Sequence, residues 1–93
     1  MSFTETEEIV LERTLKSNQH ALIVYNDDFN TFDHVIETLK ELCGHTTEQA
    51  EQCTLLIHYK GKCDVKRGSV KQLKPIFAGL CERGLSAGIE QLV

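Results

Sequence analysis

Five consecutive residues, Ala21-Leu22-Ile23-Val24-Tyr25, are apolar or aromatic, and Asn26-Asp27-Asp28-Phe29-Asn30-Thr31 follows them directly. The run is short and rich in bulky side chains, so it reads as a buried strand. From Phe32 the pattern changes. Phe32, Val35, Ile36, Leu39, Leu42 and Cys43 recur at i, i+3, i+4, i+7, i+10 and i+11, which is the stripe of an amphipathic helix. Asn30 or Thr31 supplies its cap, Asp33 places a negative charge in the first turn, and Gly44 ends it. The segment is therefore a strand-to-helix turn with one amide and two carboxylates at the strand exit. Turns of this kind hold functional groups at the surface on a rigid frame. Their acceptors suit a cation, either a metal ion or an ammonium group. The simpler reading is that Asn and Asp build the turn and cap the helix.

The remaining chain extends this pattern. Thr46-Thr47-Glu48-Gln49 has the form of a capping box and opens a second helix reaching about Tyr59, with Ala50, Cys53, Thr54, Leu56 and Ile57 as its inner face. The short link predicts that the two helices pack as a hairpin. Lys60-Gly61-Lys62 is a turn, and Cys63–Arg67 is a short strand with alternating polar residues, at an edge or half exposed. Gly68-Ser69 starts a third helix with Val70, Leu73, Phe77, Leu80 and Cys81 on one face. Pro75 removes a backbone donor, so it should kink this helix or mark a later start. After Arg83-Gly84, residues Leu85–Val93 form a last strand. The order β-α-α-β-α-β predicts an α+β domain, a three-stranded, mainly antiparallel sheet with three helices on one side. Residues 1–18, polar and acidic apart from Ile9-Val10-Leu11, read as a mobile arm ahead of a core over 19–93.

Ninety-three residues suffice for one core. The net charge of −4 disfavours a general nucleic-acid binder. Residues 1–59 carry 11 of the 14 acids, whereas seven of the ten basic residues lie between 60 and 83, an asymmetry that can orient a partner. No stretch is long enough to span a membrane. The start, with Glu5, Glu7, Glu8 and Glu12, lacks the form of a signal peptide, so a cytoplasmic location is expected, with Cys43, Cys53, Cys63 and Cys81 reduced. Their spacing fits no zinc motif.

A free α-amino group, with a pKa near 7.7–8.0, is largely protonated at neutral pH and offers three donors. Asn26, Asp27, Asp28 and a neutral ring nitrogen of His58 are possible acceptors, and Phe32, Val35 and Ile57 supply apolar surface beside them. Such a site would hold a free amino terminus followed by a bulky apolar side chain. The competitors are weaker. Asn26-Asp27-Asp28 matches no calcium loop, so neither metal nor cofactor is expected. Cys53 and His58 stand about 140° apart around a helix and diverge. Lys66, Arg67, Lys71 and Lys74 lack interleaved aromatics for nucleic acid.

The Asn26-Asp27-Asp28-Phe29 turn, the helix Phe32–Leu42, and Glu48-Gln49-Ala50-Glu51-Gln52 leading to Ile57-His58-Tyr59-Lys60-Gly61-Lys62 together resemble the ClpS family. The likeness covers roughly residues 20–90. Its most specific parts are the Asn-Asp-Asp turn and the His-x-x-Gly-Lys segment. The resemblance implies a non-catalytic adaptor that delivers N-degron substrates to a Clp AAA+ unfoldase–protease, with the compact α/β fold also found in the ribosomal stalk protein. It implies that Asn26, Asp27, Asp28 and His58 surround the substrate's amino group, directly or through water. Asn30, Phe32, Val35, Thr54, Ile57 and Leu85 would line the pocket for a first side chain of Leu, Phe, Tyr or Trp. Lys74 would lie on the face that docks on the unfoldase's N-terminal domain. The family usually carries Thr at the position of Asn30 and Met at those of Phe32 and Thr54. The alternative is a non-catalytic docking domain of ribosomal-stalk type that recognises no N-degron.

Overall fold

A computed structural model describes residues 19–92. Its elements are β1 (His20–Tyr25), α1 (Phe32–Cys43), α2 (Thr47–Lys60), β2 (Lys62–Gly68), α3 (Val70–Glu82) and β3 (Ser86–Gln91). The sheet order is β2-β1-β3, and both pairings are antiparallel. β1 is thus the central strand, and Ala21, Leu22, Ile23 and Val24 are all buried. This is why its sequence reads as a continuous apolar run. β2, with Cys63 and Val65 buried between exposed neighbours, is an edge strand as expected.

Each helix begins on a hydroxyl cap. Thr31 Oγ1 accepts from the His34 amide at 3.1 Å. Thr46 with Gln49, and Ser69 with Gln72, form complete capping boxes. The first two helices end on glycines that need positive φ, Gly44 at 71° and Gly61 at 92°. α3 runs unbroken through Pro75 from Val70, so the proline does not delay its start.

Leu22, Val24, Val35, Leu39, Ala50, Ile57, Leu73 and Leu80 belong to one core cluster between sheet and helices. Leu39 is fully buried, and truncating such a residue to alanine typically costs about 2–5 kcal/mol. Two expected inner faces need correction. On α2, Leu56 is exposed and only Ala50, Thr54 and Ile57 are buried. On α3, Cys81 is exposed, and Ile76 packs on the core instead. In both cases the buried stripe is narrower than the apolar content suggests.

The β1–β2 register slips between Leu22↔Lys66 and Ile23↔Asp64, which leaves Val65 as an extra residue on β2. His45 Nε2 lies 2.7 Å from the Val65 carbonyl. A carbonyl only accepts, so this nitrogen carries the hydrogen. The contact fastens the α1–α2 link to the bulged edge strand. Among the described residues, no helix is long and apolar enough to cross a membrane.

Candidate functional site

Two backbone features bring the strand exit of β1 against the end of α2. The Asn26 amide donates to the Gly61 carbonyl at 2.9 Å, and the Gly61 amide closes α2 by donating to Ile57 at 3.0 Å. The Asn-Asp-Asp turn and the His-x-x-Gly-Lys segment, distant in sequence, therefore form two sides of one cavity. Its volume is about 360 Å³.

The turn is shaped by Asp27. Its Oδ1 accepts from the amides of Phe29 and Asn30, both at 2.9 Å, and its Oδ2 accepts from Asn30 Nδ2 at 2.7 Å. Burial pushes this carboxyl up, but the hydrogen bonds from Asn30 and Phe29 outweigh it and hold the group below the usual aspartate range. Asn30 spends its second amide hydrogen on the Gly84 carbonyl at 3.0 Å. Nearby, His34 Nε2 donates to the Arg83 carbonyl at 2.8 Å, and Arg83 pairs with Glu41 at 2.8 Å. The start of α1 and the α3–β3 turn are thus clasped together.

Asn26, Asp28 and His58 differ from Asp27. All three line the cavity and are exposed, and among the described residues their side chains make no hydrogen bond or ion pair. The His58 ring is held by ring contacts instead, edge-on to Phe32 at 5.1 Å. Beneath these groups lie Val35 (7% exposed), Ile57 (4%) and Thr54 (2%). The Thr54 hydroxyl donates to the Ala50 carbonyl at 2.7 Å, so its hydrogen is committed to the helix. The arrangement is an acceptor-rich, anionic rim over a mainly apolar floor.

The sequence-derived candidates Asn26, Asp27, Asp28, Asn30, Phe32, Val35, Thr54, Ile57 and His58 all line this cavity. Leu85 does not. It is 4% exposed and belongs to the core cluster. Gly84, at a φ of 85°, reverses the chain, and the Leu85 amide is tied back to the Leu80 carbonyl at 3.0 Å. What the α3–β3 turn offers the site is the carbonyl of Gly84, received by Asn30. Thr31 also lines the cavity. Its place as helix cap, beside two pocket residues, was the signal for it. Lys74 stands exposed on α3, away from the cavity lining.

No group of three or more His, Cys, Asp or Glu that could hold a metal ion occurs among the described residues. Burial, reinforced for Cys63 by a hydrogen bond with Cys53, pushes the Cys43 thiol up to about 11 and that of Cys63 up to about 12. Both are therefore protonated, inert thiols at neutral pH.

Comparison with known proteins adds to this geometry. The family model for ATP-dependent Clp protease adaptor protein ClpS matches residues 15–84. The ATP-dependent Clp protease adapter protein ClpS of Thermosynechococcus vestitus is 37% identical over 68 residues, 72% of each chain. The ClpS of Sodalis glossinidius is 29% identical over 72 residues, covering 75% of this chain and 68% of its own. Among solved structures, Agrobacterium tumefaciens ClpS2 bound to L-phenylalaninamide aligns with a TM-score of 0.67 at 18% identity, over 80% of this chain and 96% of that one. At that identity the likeness speaks for the fold.

Proposed function

Because the chain belongs to the ClpS family of ATP-dependent Clp protease adaptors, and so is an adaptor rather than an enzyme, we propose that its cavity takes the first residue of N-degron substrates for delivery to a Clp AAA+ unfoldase. The observation that carries this reading is the set of three polar side chains, Asn26, Asp28 and His58, without hydrogen bond or ion pair among the described residues, over the floor of Val35, Thr54 and Ile57. An α-ammonium group offers three donors and is held more strongly where one of its acceptors is charged. Asp28 supplies the charge, while Asn26 and a neutral His58 ring supply neutral acceptors. The floor suits Leu, Phe, Tyr or Trp. The ligand of the Agrobacterium neighbour, L-phenylalaninamide, combines a free α-amino group with a benzyl side chain, which is the chemistry this site offers.

Asp27 has a separate task. With both its oxygens engaged by Phe29 and Asn30, it positions the turn and leaves Asp28 as the counter-ion. In this reading Lys74, exposed on α3, belongs to the face that docks on the N-terminal domain of the unfoldase, residues 1–18 serve as an arm, and the protein works in the cytoplasm. The arm lies outside the described residues.

The test is fluorescence anisotropy with two labelled decapeptides, one beginning with free Leu and the other with acetylated Leu. Binding of the free form alone is the expected result. Equal binding, or none to either, would leave a stalk-like docking domain as the better account.

A further inference from the structure

The cavity has room for one bulky side chain and its amino group, so the rest of a bound polypeptide must leave over the rim. Beside its acceptors, that rim carries aromatic rings. Phe32 and His58 line the wall with ring centroids 5.1 Å apart and planes at 74°. His58 then meets Tyr59 edge-on, at 5.0 Å and 81°. The row of rings thus runs from the cavity wall to Tyr59, which is 76% exposed. On the turn, Phe29 stands between the cavity-lining residues Asp28 and Asn30 and is 92% exposed. A single exposed aromatic is unremarkable in a soluble protein. Here the two most exposed large hydrophobic side chains among the described residues are both direct chain neighbours of cavity-lining residues.

Resting on the amino-terminus reading above, we infer that Tyr59 and Phe29 contact the second residue of the bound chain end and favour a bulky apolar side chain there. Neither ring packs into the core, so both have apolar area left to bury against a ligand. Their position is continuous with the cavity: Tyr59 directly follows His58, and Phe29 is held in the turn that Asp27 shapes. In this inference an occupant whose first residue is seated below emerges past these rings. Partial burial of a leucine side chain against them corresponds to roughly 3–10-fold in affinity over alanine.

The experiment uses the full chain and calorimetry with L-phenylalaninamide, which fills the cavity alone, and with free-amine peptides beginning Phe-Ala, Phe-Leu and Phe-Arg. The expected result is that Phe-Leu binds about 3–10-fold tighter than Phe-Ala, and that this ratio falls below two-fold in the Tyr59→Ser/Phe29→Ser double variant. Both residues are on the surface, so the variant should keep its circular-dichroism spectrum. Equal binding of Phe-Leu and Phe-Ala, tightest binding of Phe-Arg, or survival of the ratio in the double variant overturns the inference while the cavity reading stands. If L-phenylalaninamide and every free-amine peptide fail to bind, the cavity reading falls and takes this inference with it.

Discussion

Asn30 and Gly84 lie 54 positions apart in the chain, yet the Asn30 side-chain amide donates to the Gly84 carbonyl at 3.0 Å while its other hydrogen goes to Asp27 at 2.7 Å. One short side chain therefore joins the Asn26–Asn30 turn to the α3–β3 turn. Asn30→Ala removes both bonds and leaves acceptors behind. It should cost about 1–3 kcal/mol, lowering the melting temperature by several degrees, since about 1 kcal/mol corresponds to roughly 4–8 °C in a domain of this size. Peptide affinity should fall as the turn loosens. Asn30→Asp should do more damage than Asn30→Ala, because it sets a second carboxylate against that of Asp27 and aims an acceptor at the Gly84 carbonyl. Differential scanning calorimetry of the two variants checks the order.

The two aspartates should separate by readout. Asp28 is exposed, and its carboxylate makes no hydrogen bond or ion pair among the described residues. Asp28→Asn should leave the melting temperature within about 2 °C but weaken binding of a free-amine peptide by about 1–3 kcal/mol, the usual worth of a hydrogen bond to a charged group. Asp27 accepts three hydrogen bonds from Asn30 and Phe29. Asp27→Asn keeps one oxygen but turns the other into a donor facing Asn30 Nδ2, so stability and binding should fall together. Measuring melting temperature and affinity on the same preparations decides this. An Asp28 variant that melts early but binds normally would reverse the assignment of roles.

A pH dependence follows for Asp27. Burial alone would raise its pKa, but the hydrogen bonds win and hold the group below its ordinary value. A carboxyl whose pKa is lower in the folded chain adds stability that is fully present above the unfolded value, about 3.9. That stability is lost as pH falls below this value and through the folded pKa. The difference in unfolding free energy between the native chain and Asp27→Asn should therefore be constant from about pH 8 to 5 and shrink below about pH 4. Urea titrations across that range measure it. A difference that grew on acidification would mean that the carboxyl is stabilised in its protonated form.

The elements were legible because each is written locally. β1 is a central strand and reads as an unbroken apolar run. Thr46 with Gln49 announces α2, and Gly44 and Gly61 mark helix ends where φ must be positive. The cavity was legible to the extent that its two halves are sequence-local motifs. What escaped are relations between distant parts. Leu85 reads as a pocket residue until the reversal at Gly84 turns it into the core. The bulge at Val65 and its contact with His45 depend on strand register, which a short edge strand with alternating polar residues does not encode. Leu56 reads as an inner-face residue by hydrophobicity alone, although Thr54 and Ile57 already fill that face of α2. Asp27 and Asp28 are identical side chains side by side, and only the folded turn separates the one that builds from the one left open.

In the proposed site, Thr54 bears on a finer distinction. It lies in the cavity floor, 2% exposed, and its hydroxyl hydrogen is spent on the Ala50 carbonyl at 2.7 Å. Its oxygen therefore faces a ligand only as an acceptor. A tyrosine phenol can donate to such an oxygen, whereas a phenylalanine ring has nothing to offer it. Thr54→Val keeps the shape and removes the acceptor. The valine variant should thus lose about 0.5–1.5 kcal/mol of affinity for peptides beginning with Tyr, roughly 2–10-fold, and stay within two-fold for peptides beginning with Phe. The Tyr-to-Phe affinity ratio is the quantity to measure, because any general loosening of α2 cancels in it. A ratio unchanged by the substitution would place the phenol oxygen away from Thr54, and a ratio that rose would mean that the hydroxyl opposes tyrosine.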